Sequence, residues 1–135
     1  FHGHQIPDFI LNALENTALT INGTEETTTA LLYVSDAVDG LLRLMQSPQG
    51  TGAVNIGSDT ELKMGDVARQ IITLAESTSP VTFDAQVEHL TLLGLPNLAK
   101  AREQLSWVAL VRLEDGLQKT IDYIRANKAL LTNGG

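Results

Sequence analysis

The side chains with most chemical scope in this sequence are three histidines, two closely spaced aspartates, a short glycine cluster and a single tryptophan. His2 and His4 stand two apart and could share a metal ion with Asp8 or, in space, with His89. Their spacing matches none of the usual zinc patterns, and a terminal His-x-His is more often a solvated tail. Asp36 and Asp39 could serve as an acid/base pair, but both fall at a predicted helix start, where stabilisation by the helix dipole is the simpler reading. Trp107 could stack on a ligand base; a lone tryptophan after a helix is more often a core anchor. Glu25 and Glu26 read as solvated loop charges. No serine, histidine and acid stand in nucleophile-elbow order. Neither tyrosine is followed by lysine four positions on, since Ala37 and Asn127 stand there.

A dinucleotide needs a glycine-rich turn between a strand and a helix, so that backbone N–H groups reach the pyrophosphate. The nearest candidate, Gly50-Thr51-Gly52, lacks the third glycine and precedes a predicted strand. It reads as a plain loop. Asn22-Gly23-Thr24 matches a glycosylation acceptor, which carries little weight without a secretion signal.

The elements that would position these groups follow from periodicity. Ile6, Phe9, Ile10, Ala13 and Leu14 repeat at helical spacing, with Pro7 in the first turn. Leu19–Asn22 reads as a strand ending in an Asn-Gly turn. A second strand is expected at Leu31–Val34, then a helix capped by Ser35 that carries Val38, Leu41, Leu42 and Met45 and stops at Ser47-Pro48. Ala53–Gly57 reads as a third strand. Val67, Ala68, Ile71, Ile72 and Ala75 form another helical stripe, and Val81, Phe83, Ala85 and Val87 alternate as in a strand. Asn97 can cap a helix through Leu105, and Leu113, Leu117, Ile121 and Ile124 mark a last helix. Helices alternating with short strands define an α/β class. No repeat or linker divides the chain, so residues 1–135 read as one domain.

Composition narrows the function. With 135 residues and 43% apolar side chains, the chain supports one packed domain. No cysteine excludes disulfide scaffolds, thiolate zinc sites and cysteine nucleophiles. A net charge of −7, with no lysine or arginine before Arg43 or between Arg69 and Lys100, argues against nucleic acid and anionic membranes as partners. No apolar run is long enough to span a bilayer, and no signal peptide is evident, so the expected location is cytoplasmic. A start at Phe1 is expected of a piece of something longer.

Several strings together resemble the C-terminal region of the NAD-dependent nucleotide-sugar epimerase/dehydratase family, the extended short-chain dehydrogenases. They are Phe9–Leu14 with Leu19–Gly23, Tyr33–Leu41, Gly52–Gly57 with Glu61, Asn97–Ala101 through Trp107, and Leu113–Leu117 with Thr120–Tyr123. Within the family they are most similar to UDP-glucuronate decarboxylases. The resemblance implies a small C-terminal lobe, not catalytic by itself, that holds a nucleotide-sugar. The NAD loop and the catalytic Tyr-x-x-x-Lys would lie in an absent Rossmann half, so no cofactor is expected in this chain. Thr29, Tyr33 and Asp36 fall at the implied substrate-binding positions. Thr29 stands where the family usually has arginine, and Leu90–Pro96 replaces an arginine-rich run. Each lost charge-assisted contact removes about 1.5–3 kcal/mol, so nucleotide-sugar binding is expected to be weak. The alternative is an interaction module that kept the fold and lost the ligand. In either case the expected partner is the Rossmann half or a second copy of the chain. A homodimer would join through the edge of Ala53–Gly57 or through Leu90–Leu93.

Overall fold

Apolar spacing and helix-stop chemistry together decide where the chain turns. The computed structural model describes residues 5–48, 52–85 and 94–132. Its elements run α1 (Gln5–Leu14), β1 (Leu19–Asn22), β2 (Thr28–Thr29), α2 (Val34–Gln46), β3 (Leu62–Lys63), α3 (Met64–Leu74), β4 (Val81–Asp84), α4 (Ala99–Leu105) and α5 (Leu113–Thr132). The α/β class is as expected. The contacts divide into two compact units. One holds the described residues up to Thr27, those from Lys63 to Ala85 and those from Glu114 on. The other holds Thr28–Leu62 and the stretch from Gly94 to Leu113.

In the first unit β1 and β4 pair in parallel, with Leu19 opposite Val81 and Ile21 opposite Phe83. Leu19 and Ile21 are fully buried, while the hydroxyls of Thr20 and Thr82 meet on the other face at 2.9 Å. This is the period-two pattern expected of a half-buried strand. α1 buries Phe9, Ile10 and Ala13, and α3 buries Val67, Ala68 and Ile71. Leu117, Ile121 and Ile124 of α5 are buried as well. α1 ends at Asn16 in the left-handed region, φ 57°. The Thr17 N–H reaches back to the Asn12 carbonyl at 2.9 Å, a helix stop that favours asparagine or glycine. Asn16 Oδ1 then accepts the Thr78 N–H at 3.0 Å, tying two helix ends together. Glu25 and Glu26 are exposed but not idle, since they pair with Arg69 and Lys63.

In the second unit the core is Leu98, Ala101, Leu105 and Trp107, with Leu32, Leu44, Val54 and Ile56 packed against it. Three expectations are corrected here. Leu31–Val34 is not a strand: pairing falls earlier, at β2, and Leu32 is spent on the core instead. The helix cap is Tyr33 rather than Ser35, with no side-chain bond. Asp36 does stand in the first turn, where the helix dipole favours it, and its carboxylate also reaches another segment, as described below. Ala53–Gly57 forms no strand either. Val54 and Ile56 face the core, and the backbone polar groups nearby are met by side chains: Lys100 Nζ donates to the Ala53 carbonyl at 2.8 Å, and Asn55 Nδ2 to that of Asn97 at 3.3 Å. The expected open edge is therefore absent. β4 stops at Asp84; Gln86 and Val87, like the His2/His4/His89 group, Gly50-Thr51 and Leu90–Leu93, lie outside the described residues.

Candidate functional site

The second unit holds all three residues implied in substrate binding. Thr29 ends β2 and is half-buried, Tyr33 is half-buried at the N-cap of α2, and Asp36 is buried in that helix's first turn, 6% exposed. Thr28, next to Thr29, donates its hydroxyl to Glu61 Oε1 at 2.9 Å.

Asp36 is the organising group. Its Oδ2 accepts the N–H groups of Leu110 at 3.1 Å and Val111 at 2.9 Å, and its backbone carbonyl accepts the indole N–H of Trp107 at 2.9 Å. One residue thus ties the start of α2 to the extended segment after α4. Trp107 is 1% exposed, so its ring anchors the core and offers no free face for stacking. α2 approaches it closely at Gly40, where a Cβ would lie 2.9 Å from Ile56 Cδ1 and 3.1 Å from Trp107 Nε1. Asp39 plays a separate part. It accepts from Arg43 Nε at 2.9 Å, while Arg43 Nη1 donates to the carbonyls of Leu105 and Ser106 at 3.2 and 2.8 Å. The two aspartates have different partners: Asp36 holds the backbone at Leu110 and Val111, whereas Asp39 pairs with Arg43 of its own helix.

Sequence reasoning missed the part of Arg43 and the depression beside Trp107. Arg43 carried one signal, its i,i+4 spacing from Asp39. The depression, about 160 Å³, is lined by Ser58, Asp59 and Thr60 on one side and by Leu98, Arg102 and Val108 on another. Arg102 Nη2 donates to Asp59 Oδ2 at 2.8 Å across it. Small-molecule sites run from about 300 Å³ upward, so this space suits a fragment and not a whole nucleotide-sugar. Thr29, Tyr33 and Asp36 do not line it.

The remaining chemistry is sparse. No group of three or more His, Cys, Asp or Glu able to hold a metal occurs among the described residues. Gly52 has the positive φ, 64°, of a turn glycine, but the next helix begins only at Met64. No helix of the described residues is long and apolar enough to cross a membrane.

An α/β arrangement with a parallel strand pair agrees with part of the extended short-chain dehydrogenase fold that the sequence resembles. Comparison bears this out. The NAD dependent epimerase/dehydratase family model matches residues 1–57. UDP-glucuronic acid decarboxylase 1 of Xenopus tropicalis is 38% identical over 123 residues, 91% of this chain and 29% of that enzyme. UDP-glucuronic acid decarboxylase 3 of Arabidopsis thaliana is 34% identical over 115 residues, 85% of this chain and 33% of that enzyme. Among solved structures, the epimerase Mth375 of Methanothermobacter thermautotrophicus superposes with a TM-score of 0.88 at 27% identity, covering 96% of this chain and 39% of its own. The enzyme WbmF of Bordetella bronchiseptica, in complex with NAD+ and UDP, gives 0.81 at 26% identity over 96% of this chain and 38% of its own. The chain is similar to part of the NAD dependent epimerase/dehydratase family, and it spans about a third of the length of the curated relatives it matches.

Proposed function

We propose that this chain is the nucleotide-sugar-binding lobe of an NAD-dependent epimerase, dehydratase or decarboxylase, without catalytic activity of its own. In this reading NAD and the reacting tyrosine belong to a Rossmann half outside the chain. The observation that carries it is the likeness to UDP-glucuronic acid decarboxylases along 91% of the sequence. The elements that would present the ligand are β2 and the start of α2, which place Thr29 and Tyr33 ahead of a helix fixed by Asp36. With a neutral hydroxyl at Thr29, the diphosphate meets no fixed charge there, and binding is weak. A dissociation constant in the millimolar range corresponds to about −4.1 kcal/mol.

The test is a titration of the isotope-labelled chain with UDP-glucuronate, followed by amide shifts. Millimolar saturation with shifts centred on residues 28–36 is expected. Absence of any shift at 10 mM, or shifts confined to residues 5–22, would contradict the assignment. The second reading, an interaction module that has lost its ligand, is favoured by one feature: Val34, Val38, Leu41, Leu42 and Met45 of α2 all stand exposed.

A further inference from the structure

Asn22 is followed by Gly23 in the turn that closes β1. An asparagine before glycine has the side-chain amide most open to attack by the next backbone nitrogen, because glycine brings no Cβ to hinder the approach. The turn requires that glycine. Gly23 has φ 135°, and a Cβ there would fall on Thr27 Oγ1. The same hydroxyl accepts the Thr24 N–H at 2.9 Å, while the Thr27 N–H donates to the Thr24 carbonyl at 3.1 Å. Thr27 is itself buried, and its carbonyl accepts the Met64 N–H at 2.9 Å, so the turn is fixed to the start of α3. The attacking atom is held as well. Gly23 is buried, and its N–H donates to the Asp84 carbonyl at 2.9 Å, the last bond of the parallel ladder in which Asn22 stands opposite Asp84.

We propose that Asn22 is a latent deamidation site, closed while the Gly23–Asp84 bond holds and opened by local fraying of the β1–β4 end. In the folded turn the Gly23 N–H is engaged by Asp84 and Asn22 is extended strand, so the nitrogen does not swing onto the side-chain carbonyl carbon. When the end opens, the Gly23 nitrogen attacks Asn22 Cγ. The N–Cγ bond forms, the Cγ–Nδ2 bond breaks, and Nδ2 leaves as ammonia with the proton from Gly23. Water then adds to one or other carbonyl of the succinimide, giving aspartate or isoaspartate. Either product adds one negative charge to the −7 of the chain. Isoaspartate carries the main chain through Cβ, one carbon longer, and Gly23 no longer meets Asp84 in register. A transient opening thus becomes a one-way change at the strand end. The site sits where opening costs least: ladder ends and turns open below the global free energy, whereas Leu19 and Ile21 deeper in β1 are fully buried.

Two rates measured on the whole chain under the same conditions test this: deamidation at Asn22, read by mass spectrometry of the peptide released by cleavage after Glu15 and Glu25, and hydrogen exchange at the Gly23 amide. Deamidation should run about a hundredfold slower in the folded chain than in the urea-unfolded chain, and that factor should match the protection of the Gly23 amide within about threefold, since both wait for the same opening. Thr27→Val removes the hydroxyl that holds the Thr24 N–H and should speed both by about tenfold, the loss of one part-buried hydrogen bond. Thr27→Ser, which keeps the hydroxyl, should leave both at the parent values. Asp36→Ala weakens the second unit only and should also leave both unchanged. Folded and unfolded chains deamidating at equal rates, a slowing unrelated to Gly23 protection, Thr27→Val without effect, or Asp36→Ala as accelerating as Thr27→Val would each overturn the proposal.

Discussion

Replacing Asp36 separates a structural clamp from an ornamental contact. The carboxylate accepts two backbone N–H groups, from Leu110 and Val111, and hydrogen bonds to a charged acceptor contribute about 1.5–3 kcal/mol each. Both bonds are only part-buried and share one oxygen, so the lower end of that range applies. The first-turn position adds about 0.5 kcal/mol through the helix dipole. Water can reach the freed N–H groups in the variant, and the carboxylate's own desolvation cost is recovered. Asp36→Ala is therefore expected to cost about 2–3 kcal/mol. Asp36→Asn keeps a carbonyl acceptor in place and loses the charge, so about 1 kcal/mol is expected. Urea unfolding followed by fluorescence is the assay, because the single tryptophan, Trp107, is buried in the same unit and bonded to Asp36 itself. With a slope near ~2 kcal/mol/M the midpoints should fall by about 1–1.5 M and 0.5 M respectively. Asp36→Ala within 0.5 kcal/mol of the parent chain, or Asp36→Asn as costly as Asp36→Ala, would refute the reasoning.

Gly40→Ala gains about 1 kcal/mol of helix propensity but drives a methyl against Ile56 and Trp107, an overpacking cost of about 1–3 kcal/mol. A net loss near ~1 kcal/mol with a red-shifted Trp107 emission is expected by the same unfolding assay, and a gain in stability would contradict the close approach. Ser106 closes α4 in the left-handed region at φ 50°, where glycine carries no Cβ penalty. Ser106→Gly should stabilise by about 0.5–1 kcal/mol, visible as a rise of roughly 2–4 °C in the thermal midpoint.

Helices were the legible part of the fold because each carries its own period. Phe9, Ile10 and Ala13, Val67, Ala68 and Ile71, and Leu117, Ile121 and Ile124 are all buried where their spacing placed them. The parallel partner of β1 was not legible, since β4 lies about sixty residues away and a four-residue strand names no neighbour. Leu31–Val34 and Ala53–Gly57 misled for a common reason. A short apolar run signals burial, and burial against Trp107 and Leu98 satisfied Leu32, Val54 and Ile56 without any ladder. At the site, Trp107 was readable as an anchor from its size and solitude. The bond from Asp36 to Leu110 and Val111 was not, because it joins residues more than seventy positions apart and leaves no local pattern. Thr29 and Tyr33 entered only through the family resemblance, as their residue types alone name no ligand.

The central claim, that this lobe holds a nucleotide-sugar diphosphate near Thr29, is tested most directly by calorimetric titration of UDP-glucuronate into the chain and its Thr29→Arg variant. One restored charge-assisted contact is worth about 1.5–3 kcal/mol, so the account predicts tightening of roughly ten- to a hundredfold from a millimolar start. Equal affinity in the two proteins, or binding to neither, would contradict it.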